Sequence, residues 1–445
     1  MQSHPFRAWF LTFLAGTSLI CAAPTWSVPT FQKLVEHGQE RPDQDDPASA
    51  DTFLETACGV IEGDDVVFRA LHDGFRTGFD SIWTIKADGS GLRKLIGKNR
   101  GVPGGVGAFT AFGANNGGDF TTSPMLRDGR VVFFGYDSNP DANLRATGGL
   151  YSIQLNKGGL RRIANYDTPN PSDPAIRFGQ FGGGSNQICH NGYQFDGRRV
   201  FFRALSPGGN TPAGVYRAGF DGKGLTRVRD DSQPDLEYNP FFPPRDFFGP
   251  SLGLDAGKGA VLYGYSGGSL FGPQALYVGN RRIQIRADSL PGDPTPDGSD
   301  FNHLQLDGKT AVFRATGGTD YLGIFAKGYA STSLRKIVSN LNDLPGLGPC
   351  PVNNIGSFVA NAGRVIFHAS ATNCDGQTAN GRMGLFLAEN KRIRRIVGLG
   401  DDLGDGSSVV EVLDELGPGA VDGKRLVFGV RTTTANRALY VANLP

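Results

Sequence analysis

One short phrase recurs seven times along this chain of 445 residues, and it limits the fold more than any other feature. The copies "DVVF", "VVFF", "RVFF", "AVLY", "TAVF", "RVIF" and "RLVF" end on Phe68, Phe134, Phe202, Tyr263, Phe313, Phe367 and Phe428, a mean period of about 60 residues. In six copies a turn signal stands six residues before the aromatic: Glu62-Gly63, Asp128-Gly129, Asp196-Gly197, Asp307-Gly308, Asn361-Ala362 and Asp422-Gly423. Asp-Gly between apolar runs marks a tight hairpin, because glycine accepts the positive φ that such turns need. The fourth copy, "LDAGKGAVLY", has two more residues.

A second aromatic column follows at Trp83, Tyr151, Tyr216, Tyr277, Phe325, Phe386 and Tyr440. A third phrase comes next, as in "LRKLI", "LRRIA", "LTRVR", "LRKIV" and "IRRIV". Each repeat therefore reads as one strand before the turn and three after it. Four-stranded units of this kind bury both faces only by stacking on their neighbours, which accounts for the continuous apolar runs. The expected fold is all-β: a seven-bladed β-propeller of four-stranded antiparallel blades. The last copy stops after its third strand, and "FQKLV" at 31–35 matches the missing fourth phrase. The N-terminal strand is thus expected to complete the last blade and close the ring.

Composition agrees with many short strands and turns: 65 Gly, 27 Pro and 31 Phe against 3 Trp and 3 Met. Lys+Arg is 44 and Asp+Glu is 43, so no net field favours nucleic acid or an acidic membrane. The start has the pattern of an export signal. Arg7 precedes the apolar run "AWFLTFLAGTSLICA", and the small residues Ala22 and Ala23 follow. Residues 1–23 are read as a signal peptide and 28–445 as a single propeller domain. No later run is long and apolar enough for a spanning helix, so a secreted or periplasmic monomer is expected. In an oxidising compartment Cys350 and Cys374, the nearest pair in sequence, are the candidate disulfide, while Cys58 and Cys189 would have to join distant parts of the chain.

Strand order places the short turns on one face and the long connections, such as "GYDSNPDANLRATGG" and "HASATNCDGQTANGR", on the other. Long loops on a rigid frame are where binding residues gather, so the long-loop face is the expected binding face. Near it the residue after each aromatic reads Arg69, Gly135, Arg203, Gly264, Arg314, His368 and Gly429. Arg69, Arg203, Arg314 and His368 are a candidate rim for an anionic ligand, or ties between blades. Glu55, Asn186, Asn302 and Asn353 fall near the start of the innermost strands, where oxygen ligands could hold a hard cation that activates water. The loops between blades are acidic, and "DSLPGDPTPDGSD" is the candidate for calcium, although no D-x-D-x-D-G ladder is present. No other cofactor is expected: there is no G-x-S-x-G, no phosphate-binding glycine loop and no paired-histidine motif.

The hairpins "IWTIKADGSGLRKLI" and "VYRAGFDGKGLTRVRD" resemble the WD40-like repeats of TolB-type periplasmic propellers. The unit "DGKTAVFRATGGTDYLGIFAKG" through "LRKIVSNLNDLPGLGP" is similar to exported bacterial tandem-repeat propellers with an N-x-x-G-x-V-A-F-x-A phrase. The resemblance implies a propeller throughout and fixes little about activity. The functional expectation is a non-enzymatic binding scaffold that offers its long-loop face to a protein, peptide or glycan. The alternatives are a metal-dependent hydrolase or lactonase-like enzyme at the tunnel mouth, and a structural envelope component.

Overall fold

The computed structural model describes residues 27–42, 52–71, 80–105, 107–113, 123–137, 148–171, 173–178, 180–181, 189, 192–205, 214–230, 253–255, 259–265, 274–278, 281–285, 290–293, 300–317, 321–348, 350–371 and 382–445. The fold is an all-β propeller with four-stranded antiparallel blades. We letter the blades A to F. Blade A is Glu55–Glu62, Asp65–Leu71, Ser81–Lys86 and Arg93–Gly97, innermost strand first. In blade B the innermost position is shared by Phe109–Phe112 and Met125–Arg127, followed by Arg130–Asp137, Gly148–Gln154 and Gly158–Asn165. Blade C has Gln180–Phe181 and Tyr193–Phe195 inside, then Arg199–Leu205, Gly214–Gly219 and Thr226–Asp230. Blade D is Asp300–Asp307, Thr310–Thr316, Leu322–Gly328 and Arg335–Ser339. Blade E is Val352–Asn361, Arg364–Ala371, Met383–Glu389 and Arg392–Gly398. Blade F has Val409–Val412 and Val421–Asp422 inside, then Arg425–Thr432, Ala438–Asn443 and Thr30–Glu36.

The blade count is six, and no sheet is closed by hydrogen bonds, which corrects the expected seven-bladed ring. Gly253–Asp255, Gly259–Tyr265, Gln274–Val278 and Arg281–Ile285 do pair in order, but the inner strand is held at only three positions. The corresponding strand of blade D is held at seven. Among the described residues, apolar side chains join five pairs of blades instead. One apolar cluster runs from Leu34 and Val441 of blade F to Phe68 and Trp83 of blade A. Others join A to B, B to C, D to E and E to F.

Register explains the aromatic columns. Phe68 lies opposite Trp83, Phe202 opposite Tyr216, Phe313 opposite Phe325, Phe367 opposite Phe386 and Phe428 opposite Tyr440. The last four pairs have ring centroids 5.6–6.1 Å apart, and each contributes about 1 kcal/mol beyond its buried area. In blade B the partner of Tyr151 is Phe133, one residue before the expected Phe134. The reason is the turn. In blade A the residues between the paired Glu62 and Asp65 are Gly63-Asp64, whereas in blade B Asp128-Gly129 are themselves the turn, with φ of 51° and 64°.

The pairing of Thr30–Glu36 with Ala438–Asn443 is present, with Thr30 opposite Asn443 and Glu36 opposite Ala438. Lys33 fixes it further through Asp405, 3.1 Å away. Burial raises the Asp405 pKa, but hydrogen bonds from Ser407, Tyr440 and Lys33 outweigh this and hold it well below the usual carboxylate range. A carboxyl with a depressed folded pKa adds stability above its unfolded pKa, and that stability is lost as pH falls through the folded value. The protection of residues 30–36 from hydrogen exchange, taken relative to the intrinsic rate at each pH, is therefore expected to be high at neutral pH and to fall at pH below about 4. Asp405→Asn is expected to show fast exchange already at pH 7.

Candidate functional site

The inner strands of all six blades converge on one cavity of about 540 Å³ at the short-turn end of the ring axis. Its rim carries Glu62, Asp128, Asp196, Asp307 and Asp422, from five different blades, and among the described residues the only cation in its lining is Arg127. Local folding puts them there. Glu62, Asp307 and Asp422 are the last residues of inner strands, directly before the turn.

The carboxylates are held in place by the neighbouring blade. Gly63 N–H donates to Asp422 at 2.7 Å, from blade A to blade F. Gly129 N–H donates to Glu62 at 3.3 Å, from B to A. Ala362 and Gly363 N–H donate to Asp307 at 2.8 and 2.5 Å, from E to D. Asp196 instead takes the Arg198 and Arg199 N–H groups of its own turn. These backbone bonds orient the oxygens without cancelling their charge, although Asp196 is also paired with Arg199, whose Nε lies 3.6 Å away. In a concave site the resulting negative potential is focused.

The inner end of the cavity is closed by residues 413–420. Pro418 and Gly419 line it. Ile61 N–H of blade A donates to Gly419 O at 2.8 Å, and Leu416 N–H donates to Ser357 Oγ of blade E at 3.0 Å. A Cβ on Gly417 would stand 2.7 Å from Cys189 O and 2.8 Å from Ser123 Oγ. A segment that touches opposite parts of the ring at once lies across its centre.

Behind this floor Cys58 and Cys189 form a disulfide, with Cα atoms 5.2 Å apart and 131 residues between them in sequence. The sequence offered no spacing signal for it. Both half-cystines have positive φ, 57° and 71°, and Cys58 sits at a bulge in the inner strand of blade A. That bulge turns the sulfur toward the axis. Cys350 is also disulfide-bonded, and Cys374 lies outside the described residues.

The cation column points inward to this same centre. Arg69, only 1% exposed, donates from Nη1 to Gly113 O and from Nη2 to Cys58 Sγ, both at 2.7 Å. Burial pushes its pKa down to about 9. It ties blade A to the start of blade B rather than forming a solvent rim. Arg203 is buried as well. His368 is buried, with Nδ1 3.7 Å from Asp414 Oδ1, and burial lowers its pKa. Burial also lowers that of Arg314, against the pull of Asp414. The glycine at Gly429 makes room for the floor: a Cβ there would stand 3.1 Å from Leu413 and 3.2 Å from Glu415. In blade B the column residue is Phe134, since Phe133 is the paired aromatic.

The oxygens considered for a metal do not gather among the described residues. Glu55 pairs with Arg437, which also holds Glu415. Asn353 is exposed and accepts a hydrogen bond from Ser370 at 3.3 Å. Asn186 and the side chain of Asn302 lie outside the described residues, as do the first 23 residues and most of "DSLPGDPTPDGSD". Among the described residues no three His, Cys, Asp or Glu side chains are grouped to hold a metal, and no helix is long and apolar enough to cross a membrane.

No family model and no curated protein matches the chain. Similar solved structures include the β-propeller domain of the trilobed protease of Pyrococcus furiosus: TM-score 0.47, 10% identity, 88% of this chain and 93% of that one. A Mycobacterium tuberculosis puromycin-hydrolyzing peptidase gives 0.47 and 10%, over 92% of this chain and 54% of that one. TolB of Acinetobacter baumannii gives 0.38 and 11%, over 75% and 64%. The chain spans about half the length of the puromycin hydrolase and prolyl endopeptidase structures it resembles. The expectation of a non-enzymatic scaffold is corrected: nothing positively supports it. The expected binding face also gains no support from the described residues, because the long connections at 138–147 and 372–381 lie outside them and the axial cavity opens on the short-turn face.

Proposed function

We propose that the protein binds a compact cationic ligand in the acid-rimmed cavity on its short-turn face. The observation that carries this is the convergence of five carboxylates, one from each of five blades, on one pocket with a single arginine in its lining among the described residues. A cavity of 540 Å³ is within the usual range for small-ligand sites. The latching N–H groups point the carboxylates without neutralising them, so a ligand cation gains most of its interaction there.

Calorimetric titration with spermidine at low ionic strength tests the reading. Binding is expected, weakening about tenfold as salt rises from about 0.02 M to about 0.2 M. The double variant Glu62→Gln, Asp422→Asn keeps an oxygen for each latching N–H and removes two charges. It is expected to stay folded and to bind at least tenfold more weakly. Equal binding by the variant, or none by the natural chain, overturns the proposal.

The same reading includes export with a leader over residues 1–23, membership of the exported tandem-repeat propellers, and residues 28–445 acting as one domain. The Cys58–Cys189 bridge supports an oxidising compartment. A secreted or periplasmic product whose N-terminus begins near residue 24 is the expected outcome of expression in a bacterial host.

A further inference from the structure

We infer that Arg69 makes Cys58 the reactive sulfur of the axial disulfide: before the bridge closes, Cys58 is a thiolate paired with the buried guanidinium, and it is the sulfur that attacks the oxidant. Cys58 sits at the bulge between the pairs Ala57–Arg69 and Val60–Val67 of blade A, with a φ of 57°. The bulge turns its sulfur to the next strand, where Arg69 Nη2 donates to Sγ at 2.7 Å. Blade F backs the bulge closely: a Cβ on Gly59 would stand 2.3 Å from Val427 Cγ1. Arg69 is fully buried, and the acceptors of its two Nη groups, Gly113 O and Cys58 Sγ, are neutral. Burial is the largest influence on its pKa and lowers it; Tyr193 and Glu55 act against this, and Glu55 is engaged by Arg437.

Two effects compete at an open Cys58. Burial disfavours a thiolate, and contact with a cation favours it. The fold has already taken the guanidinium out of water, so ionising Cys58 turns one buried charge into a neutral pair, and the second effect wins. Cys189 is packed with Ala57 and Leu71, and its carbonyl accepts from Ser123 Oγ at 3.0 Å. Chain order agrees. Cys58 and Arg69 are 11 residues apart on one hairpin, and Cys189 follows Cys58 by 131, so the activated sulfur is made with its cation and before its partner. The oxidant is a disulfide. The Cys58 thiolate gives its electron pair to one of the oxidant's sulfurs and the other leaves as a thiolate. Deprotonated Cys189 then attacks Cys58 Sγ and expels the remaining half of the oxidant as a second thiolate. Two protein thiols are oxidised, one external disulfide is reduced, and the leaving thiolates take up the two protons.

The test frees one sulfur at a time in the full chain. Cys189→Ser leaves Cys58 open, and Cys58→Ser leaves Cys189 open; thermal unfolding confirms that each folds. The ultraviolet absorbance of the thiolate is followed from about pH 5 to about pH 9, as a difference from the double serine variant. At pH 7 the thiolate fraction is expected to be at least about tenfold larger in Cys189→Ser than in Cys58→Ser. Adding Arg69→Met to Cys189→Ser is expected to remove that difference. Arg69→Met is also expected to slow closure of the reduced bridge by oxidised glutathione about threefold at pH 7, because the thiolate fraction falls by more than its nucleophilicity rises. Equal thiolate fractions in the two single variants overturn the inference, and this comparison stands even if Arg69→Met does not fold. A thiolate fraction that Arg69→Met leaves unchanged overturns it as well.

Discussion

Replacing Cys58 and Cys189 together by serine is expected to cost about 5 kcal/mol of stability and to lower the melting temperature by about 6 °C. The bridge closes a loop of 131 residues, and chain entropy makes long closures the most valuable. It joins the inner strand of blade A to the approach to blade C and so confines the whole of blade B. Its neighbours reinforce the effect. Ser123 donates to Cys189 O at 3.0 Å, and Tyr193 donates to Ser123 O. Differential scanning calorimetry of the double variant, beside the natural chain in excess reductant, measures the loss. A shift of less than about 1 °C in the double variant would show that the bridge does not stabilise the fold.

Arg69→Ala is expected to cost about 3 kcal/mol. The substitution leaves a void in a fully buried site and removes the donor to Gly113 O, and both effects are of that order. Arg69→Met fills most of the space and is expected to recover about half. Arg314→Ala, in the same column of blade D, is expected to cost only about 1 kcal/mol. Its side chain is half-buried, and its Nε and Nη1 make no hydrogen bond among the described residues. Urea unfolding of the three variants gives the ranking. Equal losses for Arg69→Ala and Arg314→Ala would mean that the column acts through charge alone, and not through the bonds that distinguish its members.

The phrase "VVFRA" shows what could be read beforehand and what could not. Its phenylalanine belongs to a column that local pattern reveals, because a strand buried on both faces must be continuously apolar. The hairpin turns were equally legible, since they depend on neighbouring residues. At "LDAGKGAVLY" the repeat is recognisable by composition, and its inner strand pairs at only three positions. Phe134 was misaligned because Asp-Gly can end a strand or be the turn, and the letters are the same in both cases. The arginine's direction was not legible, since it depends on a bulge that brings Cys58 within 2.7 Å. The cavity was missed for a related reason. Asp-Gly was read for the conformation that its glycine permits, and the aspartate's reach to the next blade is a long-range fact.

The pairing of Thr30–Glu36 with Ala438–Asn443 has a consequence for the order of events during synthesis. Blades A to E can each form from contiguous sequence as it leaves the ribosome or the export channel. Blade F cannot, because one of its strands is made among the first residues and another among the last. Until the final turn of the chain emerges, "TFQKLVE" stays an unpaired edge strand, exposed to other chains. A chain cut before Ala438 would leave Thr30–Glu36 without the strand it pairs with.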